Sequence, residues 1–467
     1  ADEGDLDGGS RSFTIFNLDG DVVWDSNNTL DHMAVRLGHY PDKRSDAKGV
    51  EPENVAVGVY GDKRFAFVNL ERAGLVLVYD LADPTRPLFK QALATSVGPE
   101  GSLAIGSRNL LVVSAEKDDR GDKMRGGLNI YQLDSKPAMY PMIQSTNDEN
   151  GLPQAWGALS GLSADLNDNN KLYTISDSFY AKNKIFEIDA SHTPALITNT
   201  ITITDSNNVL STLSDAVTSD DVAEGIIDNV FNQNDLSALI NDDLTINLDP
   251  EGITHVSDGF WIASEGNGTI DELARQIKSL NLLVKVNLQG VIQDVVTLPS
   301  SVNDMQMRFG FEGVAEFENK LYVAFQRAWI GETDARIGIY DLDTQAWSFV
   351  MYPLDMAESQ NGGWVGLSDI TAMGDNKFLV LERDNQGGPD AAIKRIYEID
   401  LTDAVADSVI TKTLTKDLMM DLAKSNGMIA EKVEGLALTK GGRVFIASDN
   451  DGVDDHSGET LFLEISL

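Results

Sequence analysis

A short unit recurs seven times along this chain, and an internal repeat constrains a fold more tightly than composition does. Each unit opens on a small motif holding an acid or a serine. The seven are Pro52-Glu53-Asn54, Pro99-Glu100-Gly101, Ser160-Gly161-Leu162, Pro250-Glu251-Gly252, Phe311-Glu312-Gly313, Leu367-Ser368-Asp369 and Val433-Glu434-Gly435. A first strand follows each motif. A second, more apolar strand ends in polar residues, as in Phe260–Ala263 before Ser264-Glu265 and Phe378–Leu381 before Glu382-Arg383. A third alternates and often closes on an acid, as in Ile337–Asp341 and Ile396–Asp400, and a fourth is less regular. Short strands at this period predict an all-β fold, a β-propeller of about seven four-stranded blades, with residues 1–467 as a single domain. Most gaps are too short for the crossover helices of a parallel sheet.

Two stretches break the rhythm. Residues 206–247 are polar with near-helical apolar spacing at Val222–Ile227 and Leu236–Ile240, which predicts a short helical insertion. Leu418, Met419, Leu422 and Ala423 predict another short helix. The ends are also irregular. Residues 12–26 hold two surplus strands that either complete the last blade or belong to a trimmed upstream blade. A start at Ala1 rather than Met fits a processed chain.

Charge narrows the partners. Lys and Arg number 36, Asp and Glu 74, and the net charge is −38. Such a surface repels nucleic acid and anionic lipid and suits hard cations. With no cysteine, disulfides and thiolate metal sites are excluded. The chain has no apolar run long enough for a membrane-spanning helix.

Topology tells where the acids go. Neighbouring strands of a blade are antiparallel, so the start of a first strand and the end of a second share one face. The predicted mouth holds the metal-ligand candidates Glu53, Glu100, Glu251, Glu265, Glu312, Glu434, Asp449 and Asp451. Glu71, Glu116, Asp177 and Glu382 join them from second-strand ends, and Asn450, Asp454 and Asp455 from the last loop. Arg72, Lys117, Arg327, Arg383 and Lys432 lie between and could hold a phosphate. Crowded carboxylates must be protonated or neutralised by cations. Ca²⁺, with its many oxygen ligands and loose geometry, fits. The plainer alternative is that Glu-Gly marks a tight turn in which Gly takes a strained backbone and Glu caps amides. The run from Asp449 to Asp455 has the composition of a calcium loop without EF-hand spacing, and His32, His255 and His456 lack ligand spacing. The chain contains neither a Gly-x-Ser-x-Gly elbow nor a P-loop.

Two resemblances add to this. Residues 250–467 resemble the phytase-like family, described by "esterase-like activity of phytase". The resemblance rests on Asp249-Pro250-Glu251-Gly252-Ile253 with Phe260–Glu265, on Leu381-Glu382-Arg383-Asp384 with Lys394–Asp400, and on Val433–Ala437 with Ala447–Asp451. Residues 1–135 resemble the C-terminal part of the choice-of-anchor I extracellular domain, through Gly9–Ile15, Arg44–Gly49 with Glu51-Pro52-Glu53, and Leu70-Glu71-Arg72. Together they imply an exported bacterial propeller that is secreted, periplasmic or on the cell surface. They also imply calcium ions held by mouth carboxylates, and phosphate held by Lys and Arg. On that reading the chain is a calcium-dependent phosphoesterase acting on a phosphorylated small molecule, with Glu312, Arg327 and Arg383 as its catalytic residues. The alternative is a non-catalytic, calcium-braced binding or scaffold propeller. Ser160 and Ser368 interrupt the acid ring, and the bases are few for a substrate as charged as phytate.

Overall fold

The computed structural model describes residues 11–118, 126–216, 231–268, 277–303, 305–453 and 456–467. They divide into two compact units. Unit 1 runs to Ala158 and adds His192–Thr198 and Asn450–Thr460; unit 2 takes Leu159–Ser191, Asn199–Asp449 and Leu461–Leu467. Every one of the seven motifs heads a small sheet, two of them in unit 1 and five in unit 2.

In unit 1, β1 (Thr14–Phe16) pairs with β2 (Val22–Asp25), and helix α1 (Thr29–Arg36) follows. These are the surplus strands of the sequence, and they form a sheet of their own. The next sheet runs β3 (Pro52–Tyr60), β4 (Lys63–Leu70), β5 (Leu75–Asp80), β6 (Leu88–Ala94). A three-stranded sheet follows, β7 (Pro99–Ile105), β8 (Leu110–Ala115), β9 (Gly127–Gln132). Strand β10 (Ile143–Ser145) pairs in parallel with Ala195–Ile197. Phe13, Trp24, Leu30 and Leu37 cover one face of β3–β6 by packing on Ala66, Val68, Leu75 and Leu77. On the other face Phe65, Phe67, Val76 and Val78 pack against Leu111 and Val113 of β8.

Unit 2 is built from five sheets. The first holds β11 (Leu159–Ala164), β12 (Lys171–Ser176), β13 (Lys184–Asp189) and the Asn199–Thr202 end of β14 (Ala195–Thr202). Three four-stranded sheets follow in chain order: β15 (Pro250–Val256), β16 (Gly259–Ser264), β17 (Leu282–Asn287), β18 (Ile292–Thr297); β19 (Phe311–Phe317), β20 (Lys320–Phe325), β21 (Ala335–Asp341), β22 (Ala346–Tyr352); and β23 (Val365–Gly374), β24 (Lys377–Asp384), β25 (Lys394–Asp400), β26 (Lys412–Asp417). The last has three strands, β27 (Val433–Leu438), β28 (Val444–Ser448) and β29 (Phe462–Ile465). The first strands stand side by side in chain order, and β27 returns to lie against β11. This is the packing of a β-propeller.

Local chemistry explains the regularity. Second strands such as β16 and β20 are apolar almost throughout because a sheet lies over each of their faces. Glu318-Asn319 and Asp375-Asn376 both take positive φ and close two-residue hairpins, the mirror-image turn whose twist matches the strands. Within the insertion, Leu210–Ala216 forms a short 3₁₀ turn and α2 (Gln233–Ala238) is capped by Asn232. Leu210, Leu213, Phe231 and Leu236 anchor it on the core of the first two sheets. Val222–Ile227 lies outside the described residues, as do Asp454 and Asp455. The short helix predicted near 418–423 is present over Met419–Leu422 and continues as a 3₁₀ turn.

Candidate functional site

Each motif places its acid or serine on a β-bulge. Pro250 pairs with Ser264 and Gly252 with Ala263, so Glu251 has no cross-strand partner. The ladder slips in the same way at Glu53, Glu100, Ser160, Glu312, Ser368 and Glu434. A bulge re-aims one side chain out of the ladder. The glycine that follows is not there for a left-handed turn. A Cβ on Gly252 would come within 2.3 Å of the Glu312 carbonyl oxygen, and one on Gly313 within 2.5 Å of the Asp369 Cα. Glycine lets neighbouring first strands approach this closely, which corrects the tight-turn expectation at these two positions.

The predicted mouth divides between the units. In unit 1, Glu51, Glu53 and Glu71 offer oxygens within 4.8 Å of one another, and so do Glu71, Glu100 and Glu116. Glu53 and Glu100 are exposed, whereas Glu51 and Glu71 are buried. Arg72 pairs with Glu71 at 3.0 Å and Glu51 at 3.4 Å, and Arg44 also pairs with Glu51. Burial, then the charges of Glu53 and Glu51, push the Glu71 carboxyl up to about 8 even beside Arg72. Lys117 is in this unit too, as is Asp451, which pairs with His456 at 3.3 Å. Asn450 holds its loop together, accepting from the Ala158 amide and donating to the Gly38 and Gly458 carbonyls.

The larger acid group is in unit 2. Asp249, Glu251 and Glu265 are half-buried, with oxygens within 4.8 Å of one another. Glu265 accepts the Gly310 amide at 2.7 Å. Beneath them Glu312 is buried and accepts from the Gln326 amide. Burial, and then the neighbouring carboxylates, hold Glu251 and Glu312 well above the usual carboxylate range. The same causes push Glu265 up to about 7. Asp177 also reaches about 7, mainly through burial, although Lys432 opposes the shift. Asp369 lies deepest and joins three strands. Its Oδ2 accepts the Leu436 amide of β27 at 2.7 Å and the Leu162 amide of β11 at 3.3 Å, and its Oδ1 accepts the Ile370 amide.

The bases differ sharply. Arg383 is buried, donating to Glu434 and, at 2.9 Å, to Ser368. Lys432 meets Asp449 at 3.1 Å. Arg327 has no acidic partner among the described residues. Its guanidinium lies 4.9 Å from the Phe309 ring and 5.0 Å from the Trp364 ring, a cation between two aromatic faces. Phe309 takes φ +84, rare for a bulky residue, and its carbonyl accepts the Trp329 indole N–H at 3.0 Å. Glu382 points away from this group. It accepts from Tyr352 at 2.8 Å and from Lys412 at 2.6 Å, on the opposite side of β24 from Arg383.

Calcium suits the donor set. The triad converges hard oxygen ligands, and Glu434 Oε2 is buried without a partner. Sequence reasoning missed Asp249 and Glu51 as members of these groups. Both precede the Pro-Glu of a motif, and that shared acid-Pro-Glu pattern is the signal that finds them.

A family model described as phytase-like, "esterase-like activity of phytase", matches residues 154–452, and one described as the choice-of-anchor I domain matches residues 7–84. No curated protein matches the chain. Similar solved structures include a hydrazine synthase of Kuenenia stuttgartiensis, at 10% identity and a TM-score of 0.29, over 88% of this chain and 95% of that one. A luciferin-regenerating enzyme aligns at 11% identity and 0.33, over 80% and 93%. A thermostable family-43 glycoside hydrolase aligns at 11% and 0.35, over 71% and 93%. Likenesses this weak say nothing of the site.

Proposed function

This chain belongs to the phytase-like family, and from that premise we propose that it is a calcium-dependent phosphoesterase acting at the acid group of unit 2. The observation that carries the reading is the half-buried carboxylate triad of Asp249, Glu251 and Glu265; Arg327 of the same unit, stacked on Phe309 and Trp364, has no acidic partner among the described residues. Asp249, Glu251 and Glu265 would hold the cation. When bound, calcium supplies positive charge that polarises a phosphoryl oxygen and lowers the pKa of water. Arg327 binds the substrate anion, its donors oriented by Phe309 and Trp364 and free of competition from a carboxylate. Arg383 acts through Glu434, fixing the carboxylate whose second oxygen faces the group. Glu312 forms the floor and limits where the cation can sit. The choice-of-anchor I match supports an extracellular or cell-surface location. No helix among the described residues is long and apolar enough to cross a membrane.

A second reading, a calcium-braced binding propeller without catalysis, is favoured by the ion pairs that occupy Arg383 and Lys432. Hydrolysis of phytate and of a generic phosphomonoester, with Ca²⁺ and after chelation, separates the two. The proposal expects calcium-dependent turnover that falls at least about tenfold in Arg327→Met and is lost in Glu251→Gln and Glu312→Gln. Absence of turnover, with chelation lowering only the melting temperature, would leave the brace.

A further inference from the structure

Strand β9 stands where the preceding sheet places β5. Pro52 pairs with Leu70 and Leu70 with Leu75; Pro99 pairs with Ala115 and Ala115 with Gly127. By this register Val76 corresponds to Leu128, Val78 to Ile130 and Tyr79 to Tyr131. The environments do not correspond. Val76 and Val78 are 0% and 8% exposed, with β6 paired to their strand and β8 packed over them. Leu128 and Ile130 are 68% and 65% exposed, and the sheet order β7-β8-β9 leaves the outer edge of β9 without a partner among the described residues. Leu103, in the row Leu103–Val112–Ile130, is 60% exposed.

Exposed edges are usually protected by lysine, proline or a bulge. β9 reads Gly-Leu-Asn-Ile-Tyr-Gln and carries none of these, in a chain whose net charge is −38. Its other face is committed: Asn129 accepts the Ser96 amide, and the Tyr131 hydroxyl donates to the Ala94 carbonyl. Among the described residues, what lacks a partner is one backbone edge and one apolar row.

We propose that β9 pairs antiparallel with β9 of a second copy of this chain, about a two-fold axis at Asn129. That register sets Leu128 opposite Ile130 of the partner, so the apolar row is self-complementary, as a two-fold interface requires. No charge lies on either strand to oppose the approach of two acidic molecules. Leu103 and Val112 continue the apolar row behind the new strand pair. The exposed row is on the order of 400 Å², about the size of the largest apolar patch on a typical single chain, and such patches are often functional.

The absence of cysteine makes the test clean. Analytical ultracentrifugation of the full chain at micromolar concentration is expected to show a dimer. Ile130→Lys and Leu128→Lys are expected to abolish it without lowering the melting temperature. Directly opposed side chains lie within disulfide reach. A mixture of Leu128→Cys and Ile130→Cys chains should therefore give several-fold more oxidised dimer than either alone. A monomeric chain overturns the proposal, whatever else fills the edge. So does a dimer that persists in both lysine variants, or crosslinking no better in the mixture.

Discussion

Asp369 Oδ2 accepts the amide proton of Leu436 at 2.7 Å, tying a carboxylate of β23 to the backbone of β27. The same oxygen reaches Leu162 of β11, so one side chain fastens the first and last inner strands of unit 2. Asp369→Ala would strand three buried amides at about 1–3 kcal/mol each. Urea unfolding should show a loss of at least about 3 kcal/mol, and a smaller loss in Asp369→Asn, which keeps one acceptor.

Arg383 and Glu434 form a buried pair, 4% and 5% exposed. Removing one partner of such a pair costs about 3–5 kcal/mol, because the other charge remains buried. Arg383→Met should melt well below the parent, and Arg383→Met with Glu434→Gln should recover part of the loss. A double variant no better than the single would show that the cost lies in packing.

Gly313→Ala should be poorly tolerated although its backbone is ordinary. The added methyl would sit 2.5 Å from the Asp369 Cα, on a backbone that has no room to move. Overpacking of this kind costs about 1–3 kcal/mol. Thermal melts beside Gly61→Ala, where no atom lies within 4 Å but φ is +67, distinguish crowding from backbone strain.

Proton linkage gives a signed prediction. Glu265 and Asp177 titrate near 7 in the folded chain and near 4 when unfolded. The folded state thus binds more protons than the unfolded one between those values. Without calcium, stability is greatest below about pH 4 from these groups and is lost as pH rises through 7. Added Ca²⁺ should raise the melting temperature more at pH 8 than at pH 5, since protons compete with the ion for the Glu265 oxygens. Differential scanning fluorimetry across this range checks it, and a calcium shift independent of pH would count against these ligands.

Trp364→Leu removes one face of the arginine stack. It should change stability little, because exposed cation–π contacts are worth about 0.5–1 kcal/mol. It should still weaken binding of inorganic phosphate measured by calorimetry. Equal loss from Lys117→Met, in unit 1, would place the anion elsewhere.

The repeat was legible because its strands must alternate and turn at a fixed period. How the repeats divide was not, since the five in unit 2 and the two in unit 1 begin alike. Glu382 was expected beside Arg383 at the mouth, but successive residues of a strand face opposite sides, and a strand end does not suspend that rule. Arg327 was legible as a base at the polar end of a second strand. Its aromatic clamp was not, because Phe309 and Trp364 come from the loops before two different first strands. Asp369 was hidden by its motif, where Ser368 takes the bulge and the acid follows.

The bulge at each motif has a consequence for divergence. A residue with no cross-strand partner can be exchanged without disturbing the ladder on either side, and where its side chain is exposed, as at Glu53 and Glu100, the change costs little in folding. Glutamate at five of the seven and serine at two is the pattern such independence permits. An exposed bulge side chain is thus a place where the chemistry of one sheet end can vary while the ladder beside it stays as it is.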